Sequence, residues 1–282
     1  MFPDCGIALR ELVLVDVGDS RMRYFLFTAL FLTTAQASVR AQEDVPAKTK
    51  TQEIVAIARA SLGDIQGTSI VEGKAVDLEP VGPVLTFVEP VFKIASGTLW
   101  VWGKSGRPSA VMSLATVDKR RFYEFHSFSE HPLDFKILGD AWRPEASWSP
   151  LDIPNSSAPL ETEQRRLSQM KKLVERFRST ERVIPGDKIV EMRILPTPIY
   201  RYPNSTQEMD GALFVISRDG DPEALLVIET KKNGWQFMAA RLSGHVPTVY
   251  LDEKPYVLDY RIGPQQPYFY VIRKATENED PK

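Results

Sequence analysis

Residues 97–116 read GTLWVWGKSGRPSAVMSLAT, and residues 211–230 read GALFVISRDGDPEALLVIET. The two stretches align without a gap at an offset of 114. They are identical at 7 of 20 positions: Gly97/Gly211, Leu99/Leu213, Val101/Val215, Gly106/Gly220, Pro108/Pro222, Ala110/Ala224 and Thr116/Thr230. Most other pairs exchange like for like, such as Trp100/Phe214 and Leu114/Ile228. The register runs on to Ser129/Ser243 and His131/His245, giving nine matches over residues 97–131. A repeat of this length sets the fold reading. It also acts as an internal control, because a residue present in one copy only serves no structural role common to both.

Each copy holds two β-rich runs around a turn, Ser105-Gly106-Arg107-Pro108 or Asp219-Gly220-Asp221-Pro222. Glycine supplies positive φ there and proline a fixed φ, so both are hairpin chemistry. A third strand follows at Phe122–Ser129 or Trp235–Ser243, then a fourth at Leu133–Leu138 or Thr248–Leu251. Further strands are expected at 256–261 and 268–273. The copies open at Pro90-Val91-Phe92-Lys93 and Pro198-Ile199-Tyr200-Arg201, so the second holds six extra residues, placed in the loop 204–210.

Between the copies, Leu160, Leu167, Met170, Leu173, Val174 and Phe177 fall on one helical face, and charged residues including Arg165, Arg166, Lys171, Lys172 and Arg176 cover the rest. Ser156 or Ser157 is placed to cap this helix. The expected fold is α+β and mainly antiparallel β. Two repeated meanders of four or five strands share a core with this one amphipathic connecting helix. The expected boundaries are a leader at 1–41, a polar lead-in with a short helix at 42–84, a first repeat at 85–158 and the helix at 159–182. A second repeat follows at 183–275, then a disordered tail at 276–282.

Hydrophobic residues make up 43 % of the chain and the net charge is −2, so nothing global selects nucleic acid or an anionic membrane as a partner. Met22-Arg23, the apolar run 24–32 and the small residues that follow have the layout of a secretory signal peptide. Residues 1–21 carry Asp4, Glu11, Asp16 and Asp19, which suit no such peptide, so translation is expected to start at Met22. Cleavage after Ala37 or Ala41 fits, giving signal peptides at 22–37 or 22–41 and an exported, periplasmic or extracellular chain. The apolar run falls short of the roughly 20 residues a membrane span needs. The one cysteine, Cys5, lies in the leader, so the exported chain is cysteine-free and folds on core packing alone.

The polar candidates are few. His126 and Glu124 share one face of the third strand and permit an acid–base pair, whereas His126 and Ser127 diverge. The repeat partner of His126 is Ala240, so the shared fold does not need it. His131 and His245 occupy equivalent positions and could share a metal, although zinc wants three or four protein ligands. Asp219, Asp221 and Glu223 suggest a calcium loop, but Ser105, Arg107 and Ser109 stand in their places in the first copy, which assigns them to turn and surface. Trp100 and Trp102 match Phe214 and Ile216 and read as core. No phosphate loop, dinucleotide fingerprint or metalloprotease helix occurs. No cofactor is called for.

The exported leader, P-[VI]-[FY]-[KR], G-x-L-x-V with a G-x-P turn, RFYEFHSFS at 121–129, RLSQM at 166–170 and DGALF at 210–214 together resemble a group of uncharacterised exported proteins of planctomycete bacteria. The likeness covers about residues 85–250. It implies export and carries over no catalytic residue. The sequence is thus read as an exported, non-enzymatic β-rich protein, a binding or structural module whose site, if any, lies between the two repeats and whose partner is a protein or a small apolar ligand. The alternative is a hydrolase using His126 and Glu124.

Overall fold

A computed structural model describes residues 47–89, 93–103, 105–183, 186–203 and 209–274, which belong to one compact unit spanning 44–282. The leader and its cleavage sites, Cys5, the tail 276–282, Pro90-Val91-Phe92 and most of the loop 204–210 lie outside the described residues.

The first half runs α1 (Ala47–Ser61), β1 (Ile65–Val71), β2 (Lys74–Leu78), β3 (Pro80–Glu89), β4 (Ile94–Trp102), β5 (Ala110–Val117), β6 (Arg120–Ser127), β7 (Leu133–Ile137) and β8 (Asp140–Trp142). A short connecting strand, β9 (Leu151–Asp152), follows. The second half runs α2 (Glu163–Val174), β10 (Phe177–Val183), β11 (Lys188–Ile194), β12 (Tyr200–Tyr202), β13 (Gly211–Arg218), β14 (Asp221–Lys231), β15 (Gly234–Arg241), β16 (Val246–Leu251) and β17 (Lys254–Val257), and β18 (Tyr268–Lys274) comes last. The described residues are α+β and mainly antiparallel β, with only two helices. Neither helix is long and apolar enough to cross a membrane.

The halves share most pairings, but β11 also pairs β13, so the second half forms one nine-stranded sheet where the first forms a four-stranded and a five-stranded one. Strands β4-β5-β6 and β13-β14-β15 form antiparallel meanders. Trp102 faces Ala110 and Ile216 faces Ala224, while Ser127 faces Ala110 and Arg241 faces Ala224, each set offset by 114. Around them β1 pairs β2 and β7, as β10 pairs β11 and β16, and β8 pairs β7 as β17 pairs β16. Strands β3 and β12 edge the two meanders. Two strands cross between the halves. β9 pairs β15 of the second meander, and β18 pairs β6 of the first along seven residues.

These correspondences move the expected boundaries. The glycines and proline of 64–82 suggest loop with at most one short strand, yet the region forms β1, β2 and the start of β3, because IQGTSIV alternates and finds partners on both edges. The helix is shorter than its apolar spacing implies. It ends at Val174, and Phe177 opens β10, whose Ser, Thr and Val suit a ladder between β11 and β16. Its cap is Thr162, whose Oγ1 accepts from the Arg165 N–H at 3.4 Å, rather than Ser156 or Ser157. Leu160, read as part of the apolar stripe, is exposed.

Side chains at alternate positions of β4 and β13 enter different cores. Leu99, Val101, Val111 and Ala115 of the first meander meet Leu213, Val215, Leu225 and Val227 of the second in one cluster, so the two large sheets pack face to face. Trp100, Trp102, Met112 and Phe125 point outward to a cover made by α1, β1 and β7. Phe214, Ile216, Leu226 and Phe237 point outward to α2, β10, β11 and β16. Helix α2 therefore buries Met170, Leu173 and Val174 in the second half, and α1 buries Ala58 in the first. The shared glycine is explained by close approach. A Cβ on Gly97 would lie 2.2 Å from the Phe87 ring, and one on Gly211 would lie 2.2 Å from the Tyr202 ring.

The central core makes a measurable claim. Leu225 is fully buried between the sheets, so Leu225→Ala should cost about 3 kcal/mol of unfolding free energy in urea. Ile189→Ala, at a site 59 % exposed, should change it by less than about 0.5 kcal/mol. Equal effects at the two sites would refute this placement of the core.

Candidate functional site

The face-to-face sheets leave two clefts, each lined by both halves. The first, about 430 Å³, is bounded by the turn Ser105–Ser109, by Phe128–His131 after β6, and by Tyr202, Pro203 and Met209 of the second half. The second, about 330 Å³, is bounded by Arg218, Asp221 and Glu223 at the β13–β14 turn, by Leu242–His245 after β15, and by Ile94, Ala115, Val117, Phe122 and Glu124 of the first half. Shifting 105–109 and 128–131 by 114 gives 219–223 and 242–245. The clefts thus occupy equivalent places at the junction.

Their chemistry differs. In the first cleft the half-buried Arg107 donates from Nε to Glu229 Oε2 at 3.0 Å and from Nη2 to Glu130 Oε1 at 2.8 Å. Its guanidinium lies 3.7 Å from the centre of the Trp148 ring. Glu229, itself buried, also accepts from Tyr202 Oη at 3.0 Å and from Gln236 Nε2 at 2.9 Å. The counterparts of Arg107 and Glu229 are Asp221 and Ala115, so this inter-half ion pair has no twin.

The second cleft gathers carboxylates. Arg218 bridges Glu181 and Glu223, and Ser243 Oγ donates to Glu181 at 3.2 Å. Burial, with the neighbouring Glu223 and Glu124, pushes Asp221 up to about 9. Burial pushes Glu124 up to about 7 against the opposing hydrogen bond from Tyr268 Oη at 2.6 Å. Burial and Glu223 raise Glu181 as well. Glu223 is only 3 % exposed, which corrects its assignment to the surface. Asp219 at the tip is exposed and Asp221 half-buried, so the contact between the sheets covers only the strand end of this turn.

The sequence candidates separate. His126 is 1 % exposed, and its Nδ1 lies 3.2 Å from Tyr260 Oη, while Nε2 has no partner among the described residues. Burial pushes its imidazole down to about 3, so it is neutral at ordinary pH. Glu124 bonds Tyr268 instead, so the pair shares a strand face and no hydrogen bond. Ser127 is hydrogen-bonded to Ser147 Oγ at 2.5 Å. His131 lines the first cleft and His245 the second. No three His, Cys, Asp or Glu side chains converge to hold a metal among the described residues. In both copies the residue after the third strand does equivalent work, with Ser129 Oγ and Ser243 Oγ accepting from the His131 and His245 N–H at 3.0 Å. Trp100 and Trp102 are core, each 1 % exposed.

Sequence reasoning missed Arg107, whose carboxylate partner stands 122 residues away. It also missed Arg166, which is fully buried and paired with Asp210, itself paired with Arg201. Arg166 stands four residues before Met170, so helical spacing places it on the apolar face, a signal open to reading. Comparison with known proteins finds no family model, curated protein or solved structure that matches the chain.

The titrating groups predict a pH profile. Carboxyls with raised values hold their protons more tightly in the fold than in the unfolded chain, so their contribution is present at low pH and lost as pH rises through the folded values. His126 and His245, both lowered by burial, act oppositely and cost stability as pH falls below about 6.5. Between pH 6.5 and 9 the Asp221 and Glu181 effects dominate, Glu124 having lost most of its contribution by about 7. The urea midpoint should fall over that interval, and Asp221→Asn should flatten the fall. A midpoint that holds level or rises in the unaltered protein would remove this account.

Proposed function

We propose that this chain is an exported, non-enzymatic binding protein, built by duplication of one α+β unit, whose ligand site lies in a cleft where the two halves meet. The observation that carries the reading is the pair of clefts at equivalent positions, each walled by both halves. Pairings repeated at an offset of 114 support duplication. The charged or hydroxyl-bearing side chains Ser105, Arg107, Glu124, Asp221 and Glu223 in the linings favour a polar or charged ligand over a purely apolar one. Export rests on the leader pattern at 22–41.

The competing reading, a hydrolase, needs a histidine that substrate can reach and that can take a proton near neutral pH. His126 is sealed between Phe128 and Tyr260 and lines neither cleft.

A mixture of small acids, amines and neutral compounds, read by amide chemical shifts, should perturb residues lining at least one cleft. Ser109→Trp should silence the first cleft and leave responses at His245 intact. Shifts confined to other surfaces would reject the binding reading.

A further inference from the structure

The geometry points to the first cleft as a site for a small organic carboxylate, gripped by Arg107. This inference rests on the binding reading above and names its ligand class.

Arg107 is held as a recognition group. Its side chain is 7 % exposed and immobilised on three sides: Glu229 fixes Nε, the Trp148 ring supports one face, and Met209 Sδ lies 3.9 Å from Nη2. Glu229 sits behind it, out of solvent and fully engaged with Tyr202 and Gln236. Such an arginine cannot turn away, and its remaining edge is fixed in a fork that matches a carboxylate.

What occupies Nη2 is Glu130, whose side chain is 54 % exposed. An ion pair with one partner so exposed contributes roughly 0–1 kcal/mol. Glu130 therefore marks where a carboxylate sits and is weak enough to be displaced by one. The walls suit the rest of an acid. Ser105, Ser109 and His131 offer polar contacts, while Pro108, Phe128 and Pro203 provide apolar surface for an organic body. About 430 Å³ falls at the small-molecule end of known ligand pockets, which span roughly 300–1,000 Å³. The second cleft is the control within the same molecule. It places Asp221 where Arg107 stands and Glu223 where Ser109 stands, so it lacks the gripping arginine, and its Arg218 is engaged by Glu181 and Glu223.

The test titrates acetate and benzoate, with acetamide and benzamide as neutral counterparts, into the full chain and follows amide shifts. Benzoate should move Gly106, Arg107, Ser129 and His131 and leave Glu223 and His245 still. Glu130→Gln, an exposed change that removes the competing carboxylate, should tighten benzoate binding roughly three- to fivefold. Arg107→Gln should abolish it. Because Arg107 also bridges the halves, Glu130→Gln is the decisive variant: a gain in affinity cannot come from damage. Benzamide binding the cleft as tightly as benzoate, or a Glu130→Gln variant that binds benzoate no better, overturns the carboxylate assignment and leaves a binding cleft. Silence of both clefts towards all four probes overturns the assignment and the binding reading together.

Discussion

The contact between the two large sheets governs the molecule. Each sheet also carries a cover on its outer face, so both meanders are buried on both sides. A strand in that position cannot alternate apolar with polar residues, and GTLWVW and GALFVI do not. Both faces demand a lid, which is why the chain supplies α1 with β1 and β7 on one side and α2 with β10 and β16 on the other. Charge is then displaced to the rim of the inter-sheet contact. Arg107, Glu124, Asp221 and Glu223 all lie there, at the ends of the buried strands.

Much of this was legible. The gapless repeat carries the strand register itself, because the pairing of Trp102 with Ala110 recurs as Ile216 with Ala224. The tryptophan pair was readable as core because its counterparts Phe214 and Ile216 are equally apolar. The covers were less visible. Helices α1 and α2 each precede the strands of their own cover, yet at an offset of 114 the buried Ala58 falls opposite Lys172, so no residue pattern links them, since a lid must fit a sheet and not a particular partner. β1 and β2 were hidden among glycines and charges because β2 is largely exposed and takes its order from its neighbours.

The site was harder to see for a definite reason. Arg107 and Glu229 are joined only by the folding of one half onto the other, and no local pattern announces a pair 122 residues apart. His126 drew notice as a polar residue with an apolar counterpart. Its burial beside Tyr260 makes it a histidine kept neutral inside a wall. The useful asymmetry lay elsewhere, at positions 107 and 221. There an arginine and an acid occupy equivalent turns, giving the two clefts different chemistry.

The crossing of β18 to β6 has a consequence for how the chain is made. Tyr268 and Glu124, hydrogen-bonded across that pairing, are 144 residues apart. During synthesis the first meander must wait with the β6 edge unpaired until β18 emerges. An open edge is a template for pairing with other chains. Pairing over such a separation raises contact order and slows folding, so the sheet of the first half is completed only after β18 is made. Both halves therefore finish together, and a chain interrupted before residue 268 is left with an adhesive edge.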